Sequence, residues 1–323
     1  MKGFKRATGA IGAMLAMIGA AAAFPDRPVQ VIVPWAAGGG ADAVTRIFAD
    51  GFEKELGVPI NVVNRTGGGG LTGHTFIATA TSDGYTLGVV SPEIAFYKPL
   101  GLGDITPDNF DLFSRVSLIP AGVTVRADAP FGSLAEFLKA VKESPKGTFT
   151  ASGTGTGGSW HIAAGGLLRA AGIEPDRLRW VPSQGGAPAL QDVAAGGITA
   201  FTGSPVEAKA MLDAGKVRTI ALMTEERPAT FPNIPTTREA GVDWTYQNWF
   251  ALVAPKGLPQ DRRQRLFEAA QRAMARAEVQ NAMRARGITP VWDKPGESEA
   301  YVKTFVERGS AVLKDLGLVK TGG

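Results

Sequence analysis

The chain has 323 residues, no cysteine and a formal charge of +4. The missing thiols exclude a disulfide framework, a cysteine-based metal site and a cysteine nucleophile. Three of the positive charges, Lys2, Lys5 and Arg6, precede an apolar run; without them the chain is near +1, with no whole-molecule field for nucleic acid or an anionic membrane.

The predicted elements begin with that leader. A basic start, an apolar stretch from Ile11 to Ala23 and the small residues Ala21-Ala22-Ala23 read as a secretory signal over residues 1–23, cleaved before Phe24. The stretch is shorter than the ~20 residues of a spanning helix and rich in Gly and Ala. No cysteine follows it, which excludes a lipid anchor. An exported chain of about 300 residues without disulfides needs a large core, most naturally in two domains.

Strands then alternate with helices. Val29–Val33 reads as a strand, followed by Ala36-Ala37-Gly38-Gly39-Gly40 and a helix from Asp42 to a Gly57 stop. Ile60–Val63 is the next strand, with Thr66 to Gly70 and a helix over 71–80 behind it, and Asp83-Gly84 turns the chain into a strand over 85–90. After Val123 the pattern resumes. Ser133 and Glu136 form a capping box, Thr148–Ser152 is a strand, and Gly153 to Ser159 leads into a helix through Ile162 and Leu168. A strand over 179–181, a turn over 184–188, a helix over 190–195, a strand over 198–202, a helix over 205–214 and strands over 219–223 and 248–254 follow, and helices close the chain. This order predicts an α/β protein of mostly parallel sheets. No low-complexity linker separates two halves, so strands should cross between them near Val123–Val125 and Tyr246–Ala251. The expected domains are 24–124 plus 247–323, and 125–246.

Four strand-to-helix loops, 36–40, 66–70, 153–159 and 184–188, are built from glycine and small residues. In open α/β sheets such loops share the carboxyl edge, where ligands bind. Bare backbone N–H groups and helix N-termini make that edge suited to an anion. Glycine alone also permits tight turns; it is the repetition that favours an anion cleft. Gly153-Thr154-Gly155-Thr156-Gly157-Gly158 matches the dinucleotide pattern G-x-G-x-x-G, but the acid about 20 residues on, Glu174, precedes the next strand instead of ending it. Walker, nucleophile-elbow and His-Glu-x-x-His patterns are absent. His74 and His161 are isolated; His74 reads as a structural hydrogen bonder, and His161, after a glycine loop, is placed at the cleft. Asp42 is expected to serve the start of its helix. Trp35 could pack on a ligand, and Trp249 reads as core. The arginines from Arg262 to Arg286 lie opposite an apolar stripe of Leu266, Ala269 and Ala273, a solvated helix face.

Pro28 to Asp42, Asn64-Arg65-Thr66-Gly67-Gly68-Gly69-Gly70, Ser82-Asp83-Gly84-Tyr85-Thr86-Leu87, Gly157-Gly158-Ser159-Trp160-His161, Gly185 to Asp192 and Pro232 to Gly241 together resemble substrate-binding proteins of tripartite tricarboxylate transporters, the Bug receptor family. The resemblance implies a two-domain periplasmic binding protein, its ligand cleft between the domains, that closes on a mono-, di- or tricarboxylate with no covalent chemistry and no cofactor and delivers its ligand to membrane subunits; a monomer is expected. It implies a ligand site at Ala36, Ala37, Gly38, Gly39, Thr66, Gly67, Gly68 and Gly69, facing Thr154, Thr156, Gly158, Ser159, Gln184, Gly185, Gly186, Ala187, Thr202 and Ser204; Trp35 and His161 join it by their positions beside the glycine loops. Thr66 stands where that family has proline and Gly158 where it has serine. Thr202-Gly203-Ser204 lacks the acid or amide often found there, so the ligand's distal group is what these departures affect. A C4–C6 dicarboxylate is the first expectation, and an exported enzyme acting on an anionic small molecule is the rival one.

Overall fold

The computed structural model describes residues 24–294 and 296–320; the expected signal segment, 1–23, lies outside them. Strand β1 (Val29–Val33) buries every residue but Gln30, as a strand covered on both faces must. Helix α1 (Gly40–Leu56) turns Val44, Phe48, Phe52 and Leu56 inward and ends on Gly57 at φ 76°, the left-handed stop glycine supplies. Strand β2 (Ile60–Asn64), helix α2 (Leu71–Thr79) and strand β3 (Thr86–Val90) complete two parallel crossovers, β1 pairing with both β2 and β3.

Strand β4 (Phe110–Pro120) runs into strand β5 (Gly122–Arg126) in the second sheet, so the chain crosses at Ala121. The second lobe continues with α3 (Leu134–Glu143), β6 (Thr150–Ser152), α4 (Ser159–Ala170), β7 (Arg179–Val181), α5 (Gly186–Ala195), β8 (Ala200–Phe201), α6 (Pro205–Asp213) and β9 (Val217–Leu222). Ser133 caps α3 by accepting from Glu136 N at 3.2 Å. The return is made by β10 (Gln247–Pro255), followed by α7 (Gln260–Ala275), α8 (Ala277–Ala285), β11 (Thr289–Pro290) and α9 (Glu297–Asp315).

The first sheet has the order β11-β4-β10-β3-β1-β2 and the second β7-β6-β8-β5-β9. Both are mixed, which corrects the expectation of mostly parallel sheets. Parallel strand pairing among the described residues is confined to β1 with β2 and β3, and to β6 with β7 and β8, while β10 is antiparallel to β3 and β4, and β5 to β8 and β9. Strands that pass directly between lobes have no crossover helix to reverse their direction, and parallel pairing requires one.

One hydrophobic core runs through both lobes by way of the crossing strands, with Ala121, Val123 and Leu252 wholly buried. Helices α7 and α8 pack on α1. Helix α9 touches both lobes: a Cβ on Gly309 would meet Phe96 at 2.6 Å, and one on Gly165 of α4 would meet Val312 at 2.9 Å. Among the described residues no helix is long and apolar enough to cross a membrane.

Candidate functional site: the cleft between the sheets

All four glycine loops lie where the two sheets face one another. The first is braced from behind by Asp42, which is buried and accepts from Gly38 N at 2.9 Å, Arg46 Nε at 3.0 Å and Asn64 Nδ2 at 3.0 Å. Burial alone would raise its carboxyl; the bonds from Arg46, Gly38 and Asn64 outweigh that and hold it below the usual carboxylate range. Asn64 also donates to Trp35 O at 2.9 Å, tying the first loop to the strand that leads into the second.

In the second loop Gly67 to Gly70 all have positive φ, a run that side-chain-bearing residues resist. Its geometry is fixed by Tyr97, whose hydroxyl donates to Gly69 O at 3.0 Å and lies 2.8 Å from His74 Nδ1. Because the tyrosine proton goes to the carbonyl, His74 donates through Nδ1. Burial lowers the His74 pKa to about 3, so the ring is neutral and structural. A Cβ on Gly70 would meet Tyr97 at 2.8 Å and Trp35 at 2.9 Å, so glycine is a packing requirement there.

In the third loop, Thr154 O accepts from Ser183 N at 3.0 Å and Trp180 Nε1 at 3.2 Å. His161 stands behind this loop, away from the cleft walls: Nδ1 accepts from Gly157 N at 3.0 Å and the ring stacks on Trp180 at 4.5 Å. Burial lowers its pKa to about 4, leaving it neutral. Thr202 and Ser204 line neither of the two spaces in the cleft, and both serve the framework. Thr202 donates to Trp160 O at 2.8 Å, and Ser204 caps α6 by accepting from Val206 N at 3.3 Å. Trp249 is buried in the core of the first lobe.

Most of the remaining expected residues line one of two spaces at the cleft. A chamber of about 350 Å³ is lined by Gly68, Gly69, Thr156, Gly158 and Gln184, with Glu93, Tyr97 and Leu100. A recess of about 20 Å³ is lined by Trp35, Ala36, Gly39, Thr154, Gly185 and Gly186, with Glu93, Glu207 and Asn248. Ala37, Gly38, Thr66, Gly67, Ser159 and Ala187 line neither space; Ala37, Gly38 and Thr66 are exposed at the rim. The lobes meet here, since a Cβ on Gly155 would lie 3.0 Å from Gly69 Cα and one on Gly157 would lie 2.6 Å from Leu100. A larger hollow, about 740 Å³, opens elsewhere on the first lobe beside Lys256, Arg263 and Asp293. It has mixed charge and no glycine-loop edge, so the cleft is the better candidate despite its smaller volume.

Two residues at the cleft carry no motif in the sequence. Glu93, in the turn after β3, accepts from Ser159 N at the start of α4 at 2.8 Å. Glu207, in the first turn of α6, accepts from Gly40 N at the start of α1 at 3.1 Å. Each reaches from its own lobe to a helix N-terminus of the other, where the dipole favours a carboxylate. Burial pushes the Glu207 carboxyl up to about 8, with the Gly40 N–H opposing and Glu93 adding to the rise. Both follow the carboxyl ends of strands, β3 and β8, and that position was the one available signal for them.

Two α/β lobes joined by crossing strands, with backbone-rich loops facing across a closed cleft, define a solute-binding protein. The chain belongs to the tripartite tricarboxylate transporter family of receptors, whose family model matches residues 44–318. Its members are receptors, so the enzyme alternative falls away. A Pseudomonas sp. (strain P51) protein described as UPF0065 protein in the tcbD-tcbE intergenic region is 31% identical over 299 residues, covering 88% of this chain and 87% of the relative. The solved periplasmic binding protein BugD is similar with a TM-score of 0.84 at 27% identity, covering 92% of this chain and 100% of that one. MatC from Rhodopseudomonas palustris, solved with bound malate, gives 0.78 at 28% identity, covering 91% and 100%.

Proposed function

We propose that this receptor works in the periplasm, reached through its N-terminal segment, where it captures a small carboxylate of about C4–C6 length in the interlobe cleft and hands it to the membrane subunits of a tripartite transporter. The observation that carries this reading is the opposition of the 66–70 and 154–158 loops around a chamber of about 350 Å³ with no basic side chain in its wall. A chamber of that volume matches a small metabolite. Backbone N–H groups there do the work that arginine does in other anion sites. MatC, with malate bound, supplies a relative of the same architecture holding a four-carbon dicarboxylate. The residues that bind are proposed to be Trp35, Ala36, Gly39, Gly68, Gly69, Thr154, Thr156, Gly158 and Gln184 to Gly186. The lobes, 24–124 with 247–323 against 125–246, are proposed to part and close as units about Ala121 and Tyr246.

A thermal-shift screen of the purified chain against mono-, di- and tricarboxylates tests the proposal. A ligand at about 100 Kd adds roughly 2.7 kcal/mol of stability, an unmistakable rise in Tm. Stabilisation by sugars or metal ions with none by any carboxylate would overturn it.

A further inference from the structure

Two glutamates stand at the helix ends where ligand carboxylates were expected. Glu93 and Glu207 each spend one oxygen on the opposite lobe, on Ser159 N and Gly40 N. Their second oxygens, Glu93 Oε2 and Glu207 Oε2, are out of solvent with no hydrogen-bond partner, as are Thr154 Oγ1 and Asn248 Oδ1. All four residues line the same recess of about 20 Å³. Glu93, Thr154 and Asn248 are at most 5% exposed; Glu207 is half-covered as a residue, but its Oε2 is buried. A space of that size holds about one water-sized group. No Arg, Lys or His lines the recess or the adjoining chamber, which shares Glu93 in its wall.

Carboxylate and amide oxygens only accept hydrogen bonds. Glu207 keeps a proton and so adds one donor, but Glu93 Oε2 and Asn248 Oδ1 converge on the recess as acceptors with no cation beside them, and call for another. A second ligand carboxylate in the same place would face the acceptor oxygens of Glu93 and Asn248 without a countercharge, an arrangement that burial makes costly. We infer that Glu93 and Glu207 determine specificity, and that the ligand is a small carboxylate bearing at its other end a nitrogen donor, a protonated amine or an amide, which enters the recess between them. The carbon chain and the ligand's own carboxylate then occupy the chamber, against the backbone of the 66–70 and 155–158 loops. An ammonium suits the recess because it is compact and offers three donors. This rests on the reading of the cleft as a carboxylate site and replaces only the second end of the dicarboxylate first expected.

Calorimetric titration of the full chain with matched C4–C6 series tests it, each length offered as the diacid, the ω-amino acid and the monoamide. The amino or amide member is expected to bind about tenfold tighter than the diacid or better. Glu207→Gln and Glu93→Gln, each with an unchanged circular dichroism spectrum, are expected to shrink that preference about tenfold. A framework role would shift affinity for all members alike and leave the preference intact. Should one variant fail to fold, the other decides. A diacid that binds the parent as tightly as its amino partner, or a preference unchanged in the variants, overturns the inference while leaving the carboxylate reading standing. Binding of no carboxylate in any form removes the underlying reading itself.

Discussion

Replacing Glu207 by glutamine should flatten one part of the pH dependence of stability. Burial raises this carboxyl from 4.5 to about 8, Gly40 N opposing and Glu93 adding. The folded protein therefore keeps a proton that the unfolded chain releases. The stabilisation is complete below pH 4.5 and is lost as pH rises through about 8. Between pH of about 5 and about 7.5 the loss amounts to roughly 3 kcal/mol, at about 1.4 kcal/mol for each pH unit over which only one state holds the proton. His74 and His161, lowered from 6.5 to about 3 and about 4, slope the other way below pH 6.5, so the parent's absolute trend mixes signs. The difference between parent and Glu207→Gln isolates the one group. Urea unfolding at both pH values should show the variant gaining roughly 3 kcal/mol on the parent at the higher pH. A difference constant to within about 0.5 kcal/mol would refute the buried, proton-holding Glu207.

Gly155→Ala places a Cβ 3.0 Å from Gly69 Cα, backbone against backbone; it should weaken ligand binding about tenfold by calorimetry and change the urea midpoint little, since the strain is relieved by parting the lobes. Thr202→Val and Ser204→Ala should each cost about 1 kcal/mol of stability without a matching loss of affinity, because their hydroxyls serve Trp160 O and the α6 cap; denaturation and titration of the same samples separate the two effects. Gly68→Ala, at φ +56°, should cost about 1–2 kcal/mol through backbone strain, as read by the urea midpoint. Protein recovered from its native host should have the intact mass of a chain beginning at Phe24, and one retaining 1–23 would contradict export by cleavage.

Much of this was legible in the sequence because it is local. The bounds of β1 and β7, the Gly57 stop and the Ser133 cap follow from residue types a few positions apart, and the glycine loops announce the carboxyl edges of both sheets. Strand β4 escaped: Phe110–Pro120 follows a stretch without strong periodicity, and its pairing partner β10 comes more than a hundred residues later. Sheet direction escaped for the same reason, since a crossing strand looks locally like any other. Along the cleft walls, the glycines stand out by composition and the glutamates do not. Glu93 and Glu207 resemble ordinary first-turn acids until the fold brings each to the other lobe. His161, Thr202 and Ser204 sit beside the cleft loops, but their hydrogen bonds go to the framework, a choice no spacing rule encodes.

The most direct measurement is a crystal structure of the chain with its tightest-binding small carboxylate. The ligand's carboxylate is expected against the backbone of the 66–70 and 154–158 loops, with the lobes closed over it and its far end beside Glu93 and Glu207. A carboxylate seated instead in the hollow beside Lys256 and Arg263, with the cleft closed and empty, would contradict the assignment of the cleft.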